Sequence, residues 1–303
     1  MQVQQKSDRD LGEHAYRRLI VGYDGSDHAA DGLALAELLS DATGAELLVV
    51  AVACHEFPYA PDAPEREEML RAQAEDMLVN AVPEGERVQT RVVSARSAAQ
   101  GLQALAESEN ADALVIGSTH RGPIGRVLGG SVVERLLHGS PCPVAVAPVG
   151  YRDRTDRDLR LVACAFDGSD ESLLAVQHAA YLARRAAAGL RLIAVHEPEL
   201  IFGMEHISAA YSIEELAKYE RARLARELET VATAVPPGVD VHQELLEGSA
   251  VEALAAAADK GVDLLTVGSR SYGPVRRVLL GSVSSGLVRS SSAPVLVVPR
   301  GSE

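Results

Sequence analysis

Short apolar runs alternate with longer stretches of helical apolar and polar spacing, and the same order of runs occurs twice along the chain. In the first half the short runs are LIVGY (19–23), ELLVVAV (46–52), RVVS (91–94), ALVIGS (113–118) and VAVA (144–147). In the second half they are LVACAF (161–166), LRLIAV (190–195), VHQELL (241–246), LLTVGS (264–269) and VLVV (295–298). Runs that are apolar on both faces predict buried parallel strands.

The stretches between these runs predict helices. Long charged helices are expected near 64–82 and 212–235, the second opening with the capping-box pattern Ser212-Ile-Glu-Glu215. A further helix in each half is expected to begin at Ser97 or Ser249. Strands separated by helices predict an α/β fold, here two tandem doubly wound domains, each a five-stranded parallel sheet with helices on both faces, as in Rossmann-like folds.

The repeat also predicts the domain limits. Asp24 in RLIVGYDGSD corresponds to Asp167 in RLVACAFDGSD, and Gly117 corresponds to Gly268. We therefore expect a flexible N-terminal tail (1–15), a first domain (16–150), a solvated linker with the sequence YRDRTDRD (151–158) and a second domain (159–300). The short β-prone fifth strands need cover, so we expect the halves to pair through them as an intramolecular pseudo-dimer. A homodimer of the whole chain stays open.

Composition narrows the range of partners and compartments. The 303 residues include 43 acidic and 29 basic side chains, for a net charge of −14, which opposes binding to nucleic acid or to anionic membranes. No apolar run of membrane-spanning length and no signal peptide is seen, and the three cysteines form no CxxC pair. We expect a cytoplasmic protein without a disulfide framework or a zinc site.

Two glycine-containing segments carry the clearest chemistry. They are GSTHRGPIGRVLGGS (117–131) and GSRSYGPVRRVLLGS (268–282), each following a fourth strand and leading into a helix. Gly117 and Gly268 would let a ligand approach the backbone, and a helix that starts at Gly130-Ser131 or Gly281-Ser282 would attract phosphate. Alternatively, these glycines only shape turns and the serines only cap helices.

The two segments resemble the ATP-binding signature of the universal stress protein family, Gly-x2-Gly-x9-Gly-Ser/Thr. His120 and Ser271 stand where the family has its second glycine. The resemblance implies an adenine nucleotide, ATP, bound with or without Mg²⁺ at the strand-end crevice of one or both domains. Serine intrudes less than imidazole, so we expect the second domain to bind more tightly. A phosphate contact from His120 is the alternative.

The resemblance also implies roles for residues at the ends of the first two strands. Asp24 and Asp167 would lie beside the adenine and ribose, and Val52 and Val195 would pack on the base. The competing interpretations are that the aspartates form Asp-Gly-Ser turns and that the valines belong to the core. His55-Glu56 and His196-Glu197 look like a repeated pair that could bind a metal or a base, although loop polarity explains them more simply. Cys142 is expected to be a buried small hydrophobe.

Three functions remain open at this stage. The first is a stress-response regulator that binds ATP. The second is an interaction protein of the same fold that has lost nucleotide binding, and the third is a slow ATPase or a protein that autophosphorylates on Ser131 or Ser282. The sequence lacks the motifs of the common P-loop, dinucleotide, hydrolase and metalloprotease sites, so we expect no catalysis beyond weak ATP hydrolysis or autophosphorylation.

Overall fold

The computed structural model describes residues 16–54, 63–82, 85–118, 132–197, 213–269 and 281–299. The strands of the first half are β1 (Arg18–Gly22), β2 (Glu46–Cys54), β3 (Val88–Ala95), β4 (Ala113–Gly117) and β5 (Val144–Ala147). Those of the second half are β6 (Leu161–Phe166), β7 (Gly189–His196), β8 (Val241–Glu247), β9 (Leu264–Gly268) and β10 (Val295–Val298).

Four helices are described in each half. They are α1 (Asp27–Thr43), α2 (Ala63–Ala81), α3 (Ala98–Ser108) and α4 (Val132–Leu137), followed by α5 (Asp170–Ala186), α6 (Ile213–Ala234), α7 (Ala250–Ala258) and α8 (Ser282–Ser290). The predicted fold class is confirmed, and most predicted strands and long helices match to within two residues. Strand β3 begins three residues earlier than predicted because the exposed polar residues Gln89 and Thr90 break the apolar pattern.

All ten strands form one sheet in the order β3-β2-β1-β4-β5-β10-β9-β6-β7-β8. Neighbouring strands within each half are parallel, whereas β5 and β10 pair antiparallel, with Val146 opposite Val295 and Val144 opposite Val297. The fifth strands therefore cover each other. Because the two halves run in opposite directions, their carboxyl-terminal strand ends lie at opposite edges of the sheet.

Each face of the sheet is covered by helices from both halves. Helices α1, α2, α5 and α6 enclose one apolar core, and α3, α4, α7 and α8 enclose the other. On the first face Tyr16 joins the repeats: its hydroxyl lies 2.8 Å from Nδ1 of His178 and its ring stacks on Tyr181. Burial raises the pKa of Tyr16, so this phenol stays neutral at physiological pH.

The expected solvated linker is only partly solvated. Asp153 to Asp158 are exposed, but Tyr151 is buried within a short 3-10 helix (Tyr151–Asp153). The buried carboxylate of Asp31, on α1, holds this turn by accepting hydrogen bonds from the backbone amides of Gly150 and Arg152, both at 2.9 Å. A side chain of the first repeat therefore sets the direction in which the chain leaves β5.

We predict that Asp31→Ala destabilises the protein by about 3 kcal/mol, since it removes two hydrogen bonds to a charged acceptor and leaves their donors unpaired. Denaturant unfolding followed by circular dichroism measures the change. Asp27→Ala is the control because it removes an exposed carboxylate from the same helix, together with its ion pair to Arg152, and it should cost less than about 1 kcal/mol. Equal costs for the two variants would contradict this role of Asp31.

The buried Thr266 of β9 gives a second stability prediction. It is fully buried, and its hydroxyl has no hydrogen-bond partner within the part of the chain that the structure describes. The equivalent position in β4 is Val115. Thr266→Val should therefore raise stability by about 1 to 2 kcal/mol, and the reverse change Val115→Thr should lower it. A lower melting temperature for Thr266→Val would show that the hydroxyl is satisfied.

Candidate functional site

The strand order reverses between β1 and β4 in the first repeat and between β6 and β9 in the second. A crevice opens beyond the carboxyl ends of the strands at such a switch point, because the connections on either side lead to opposite faces of the sheet. The strand order therefore predicts one such crevice in each repeat. The two would lie at opposite edges of the sheet, so one small ligand could not contact both.

An Asp-Gly-Ser turn forms the same structure in both crevices. The Asp24 carboxylate accepts a hydrogen bond from the Ser26 amide at 3.0 Å, and Asp167 accepts from the Ser169 amide at 2.9 Å and from its hydroxyl at 2.5 Å. The central glycines need their left-handed backbone, with φ of +79° at Gly25 and +84° at Gly168. Both aspartates are exposed. The turn interpretation is therefore confirmed, and the carboxylates remain open to a ligand.

The serines of these turns start the following helices. Ser26 accepts from the Ala29 amide at 3.1 Å and Ser169 accepts from the Ser172 amide at 3.2 Å, as helix N-caps do. Helices α1 and α5 therefore start with their first turns already capped.

The glycines at the ends of β4 and β9 are required by packing. A Cβ built on Gly117 would lie 1.6 Å from the carbonyl oxygen of His28 in α1. A Cβ built on Gly268 would lie 2.7 Å from the carbonyl carbon and oxygen of Glu171 in α5. The backbone of each strand end thus touches the first turn of a helix. Close approach of a ligand is not needed to explain either glycine.

The start of α8 is the described part of the second glycine-containing segment. Gly281 is the N-cap residue and has extended backbone (φ −71°, ψ 159°). No side chain of the described residues caps this end of the helix. The first turn contains no acidic residue, and Ser282 is exposed. The first-turn backbone amides of α8 have no hydrogen-bond partner among the described residues, and with the helix dipole they present positive potential. His120, Gly130, Ser131 and Ser271 lie outside the described residues, as do His55, Glu56 and Ser212.

Val52 and Val195 are half-buried at the ends of β2 and β7. Both pack against the core on the α3 and α7 side. Val52 fits closely over α3, since a Cβ built on Gly101 would lie 2.9 Å from a Val52 methyl group. The core interpretation therefore accounts for much of each side chain. Their backbone positions at the strand ends still border the crevices.

Strand register locates the first-repeat equivalents of His196 and Glu197. Strand pairing matches Val49 with Val21 and Leu192 with Cys164, so His196 corresponds to Ala53 and Glu197 to Cys54. His55 and Glu56 come two positions later in the chain than these equivalents and lie outside the described residues, so the repeated pair stays an expectation. His196 is also the last residue of β7 instead of a loop residue. Glu197 accepts a hydrogen bond from the Ala250 amide at 2.5 Å and caps α7, while Ser249 makes no side-chain cap bond. The predicted cap by Ser97 in α3 is confirmed.

A charged cluster over the second turn was not identified from the sequence. In α6, Arg223 contacts Glu220 and Glu227, each at 2.9 Å. A Cβ built on Gly168 would lie 2.6 Å from a carboxylate oxygen of Glu227, whereas one built on Gly25 would lie 2.8 Å from the sulfur of Met77 in α2. The spacing of Arg223 and Glu227 was visible as a helix ion pair. Its placement on the Asp167 turn depends on how α6 packs.

Metal and thiol chemistry receive no support from the described residues. Among them, no cluster of three or more His, Cys, Asp or Glu side chains could hold a metal ion. Burial raises the pKa of the Cys142 thiol to about 12, in agreement with its expected role as a buried small hydrophobe. Among the described helices, none is long and apolar enough to cross a membrane.

A family model described as "Universal stress protein family" matches residues 15–148 and again residues 159–299. The chain belongs to the universal stress protein family. A universal stress protein of Mycobacterium tuberculosis is 34% identical over 212 residues, which cover 67% of this chain and 70% of that protein. Another from Mycolicibacterium smegmatis is 35% identical over 192 residues, 63% of each chain.

Solved universal stress proteins share the fold. The crystal structure of one from Archaeoglobus fulgidus aligns with a TM-score of 0.67 at 22% identity and covers 94% of this chain and 99% of that chain. A universal stress protein in complex with cAMP aligns with about half of this chain (48%, TM-score 0.36, 26% identity). A likeness at that level says nothing about what this chain binds.

We predict that Gly117→Ala destabilises the protein more than Gly268→Ala, because its added methyl group meets a backbone oxygen at a shorter distance. The expected losses are about 3 kcal/mol or more for Gly117→Ala and about 1 to 3 kcal/mol for Gly268→Ala. Urea unfolding measures both. If both variants keep wild-type stability and lose only ligand binding, the packing explanation of these glycines is wrong.

Proposed function

We propose that this universal stress protein binds an adenine nucleotide, ATP, in the crevice of at least its second repeat and acts as a stress-response regulator in the cytoplasm. The observation that carries the proposal is the start of α8, which has no capping side chain among the described residues and which follows β9, so that it lies at the crevice edge. A helix start without a capping side chain or an acidic residue is the arrangement that accepts phosphate.

The phosphate position at the start of α8 determines where the rest of the nucleotide would lie in the second repeat. With phosphates at Gly281 and Ser282, the nucleoside would extend along the crevice towards the end of β7, where Val195 borders the base. Asp167 would lie between these two points. Both of its hydrogen bonds fall on one carboxylate oxygen, so the other can face a Mg²⁺ ion carried by the phosphates. Among the described residues no group of three metal-binding side chains is found, so this carboxylate fits a shared ion better than a resident metal.

The first repeat enters the proposal by the same plan, with Asp24, Val52, Gly117, His120, Gly130 and Ser131. Because the two crevices lie at opposite edges of the sheet, binding in one would be independent of direct contact with the other. We further propose that the antiparallel β5–β10 pair makes the two repeats an intramolecular pseudo-dimer. A regulator built in this way could hold a nucleotide in one half while the crevice of the other half is empty or holds a different ligand.

A second candidate function is an interaction protein that has lost nucleotide binding. The close packing of Gly117 on His28 and of Gly268 on Glu171 favours it, since these motif glycines would persist without a ligand. The absence of a glycine at positions 120 and 271 points the same way. ATP hydrolysis or autophosphorylation is the third candidate, and no observation on the described residues favours it.

Ser282→Asp tests the phosphate position, because it should act in opposite directions on stability and binding. A carboxylate in the first turn of α8 complements the helix dipole and should stabilise the fold by about 0.5 kcal/mol. The same charge repels phosphate and should weaken ATP binding by about tenfold or more. Ser290→Asp, at the far end of the same helix, makes the same charge change and should leave binding intact.

Thermal unfolding and calorimetric titration with ATP give both readouts on the full chain. Wild-type protein that binds ATP, together with a Ser282→Asp variant that binds it equally well, would remove α8 as the phosphate site. Wild-type protein that binds no adenine nucleotide would instead support the interaction-protein alternative.

A further inference from the structure

His196 is a buried polar side chain that the turn and helix-start chemistry above does not use. It is 6% exposed, and neither ring nitrogen has a hydrogen-bond partner within the part of the chain that the structure describes. A neutral imidazole presents one donor and one acceptor, and leaving both unpaired in the interior is costly. Such a residue calls for an explanation beyond packing.

The position of His196 places it at the second crevice. It ends β7, and side chains alternate along a strand, so it belongs to the face of Leu192 and Ala194, which pack with α5 and α6. Strand β6 pairs Phe166 with Ala194. The turn that begins at Asp167 therefore leaves the sheet beside the point where His196 ends the neighbouring strand.

The first repeat is apolar at the matching points. Ala53 corresponds to His196, and Met77 lies over Gly25 where Glu227 lies over Gly168. The carboxylates of Asp167, Glu220 and Glu227 outnumber the one guanidinium of Arg223 around this turn, so a phosphate without its cation is disfavoured here. The ligand group that suits this part of the second crevice is therefore polar and uncharged.

We propose that His196 recognises the uncharged polar part of a nucleotide in the second repeat, using one ring nitrogen as donor and the other as acceptor. The amino and ring-nitrogen edge of adenine offers that pair, and so does a ribose hydroxyl. This inference rests on the proposed function and adds the residue that makes the second crevice more selective than the first. His196 is thus a binding residue and takes no part in bond making.

Binding requires the imidazole to turn, because both nitrogens are closed off from water in this structure. This rotation of the ring breaks no hydrogen bond to the described residues, since the ring makes none there. Among the described residues, the rotation is opposed by the packing of the ring. The unpaired ring lowers the stability of the free protein. A ligand that pairs with both nitrogens removes this cost, and the free energy recovered adds to the affinity.

The test compares His196→Leu and His196→Gln with wild type on the full chain. Leucine fills the space without polar atoms, and glutamine keeps a donor and an acceptor. Thr266→Val is the matched control, because it also removes an unpaired buried polar group but lies inside the sheet. Each protein is titrated calorimetrically with ATP and with inorganic tripolyphosphate, and its melting temperature is measured without ligand.

His196→Leu should keep or raise the melting temperature and should weaken ATP binding in one site by about tenfold, which corresponds to 1.4 kcal/mol. Tripolyphosphate binding should not change. His196→Gln should retain part of the ATP affinity, and Thr266→Val should bind like wild type. Two ATP analogues identify the group that the imidazole contacts, because 2′-deoxy-ATP lacks one ribose hydroxyl and purine riboside triphosphate lacks the amino group. If His196→Leu does not change the affinity for one of these analogues, the group missing from that analogue is the one that the imidazole contacts.

An unchanged ATP affinity in His196→Leu, with wild-type binding intact, would overturn this assignment and leave the proposed function standing. An equal loss of ATP and tripolyphosphate affinity, or a lower melting temperature, would give His196 a folding role and also overturn it. Wild-type protein that binds neither ATP nor tripolyphosphate would overturn both the assignment and the proposed function.

Discussion

The antiparallel pairing of β5 with β10 is the interaction on which the arrangement of the rest depends. Each strand is only four residues long, yet the pair joins two parallel five-stranded sheets into one continuous sheet of ten. It also reverses the direction of one half relative to the other, which sends the two crevices to opposite edges. Two further contacts hold the halves near this pair. Tyr16 contacts His178 of the second half, and Asp31 accepts hydrogen bonds from the backbone that follows β5.

Features that depend on local pattern could be predicted from the sequence. The fifth strands, the Asp-Gly-Ser turns and the Ser97 cap all follow from short runs whose neighbours in sequence are also their neighbours in space. The predicted β3 is too short because the first part of this edge strand is exposed on both faces and lacks the apolar run that marks a buried strand.

Features that depend on register or helix packing could not be predicted. The two His-Glu pairs look alike in sequence because each precedes a proline. Only the strand register shows that His196 corresponds to Ala53. Likewise, Glu197 replaces Ser249 as the cap of α7 because the end of β7 comes close to the start of that helix. The reason for Gly117 and Gly268 is a contact with helices nearly a hundred residues earlier in the chain.

The two repeats share a fold and differ where a ligand would be recognised. Both keep an exposed aspartate at the turn, but the second repeat adds His196, Arg223 and Glu227, whereas the first has apolar Ala53 and Met77 near the matching points. A duplicated domain whose copies diverge at this edge, while the joining strands stay apolar, fits one copy that binds a ligand selectively and one that supports it.

The central claim is that the second crevice holds an adenine nucleotide, with phosphate at the start of α8. A crystal structure of the full chain grown with ATP tests it most directly. We expect density for the phosphates within hydrogen-bonding distance of the backbone amides that follow Gly281, with the base towards Val195 and His196. Crystals grown at saturating ATP that show no nucleotide at α8, or that show it bound only elsewhere on the chain, would contradict this phosphate site.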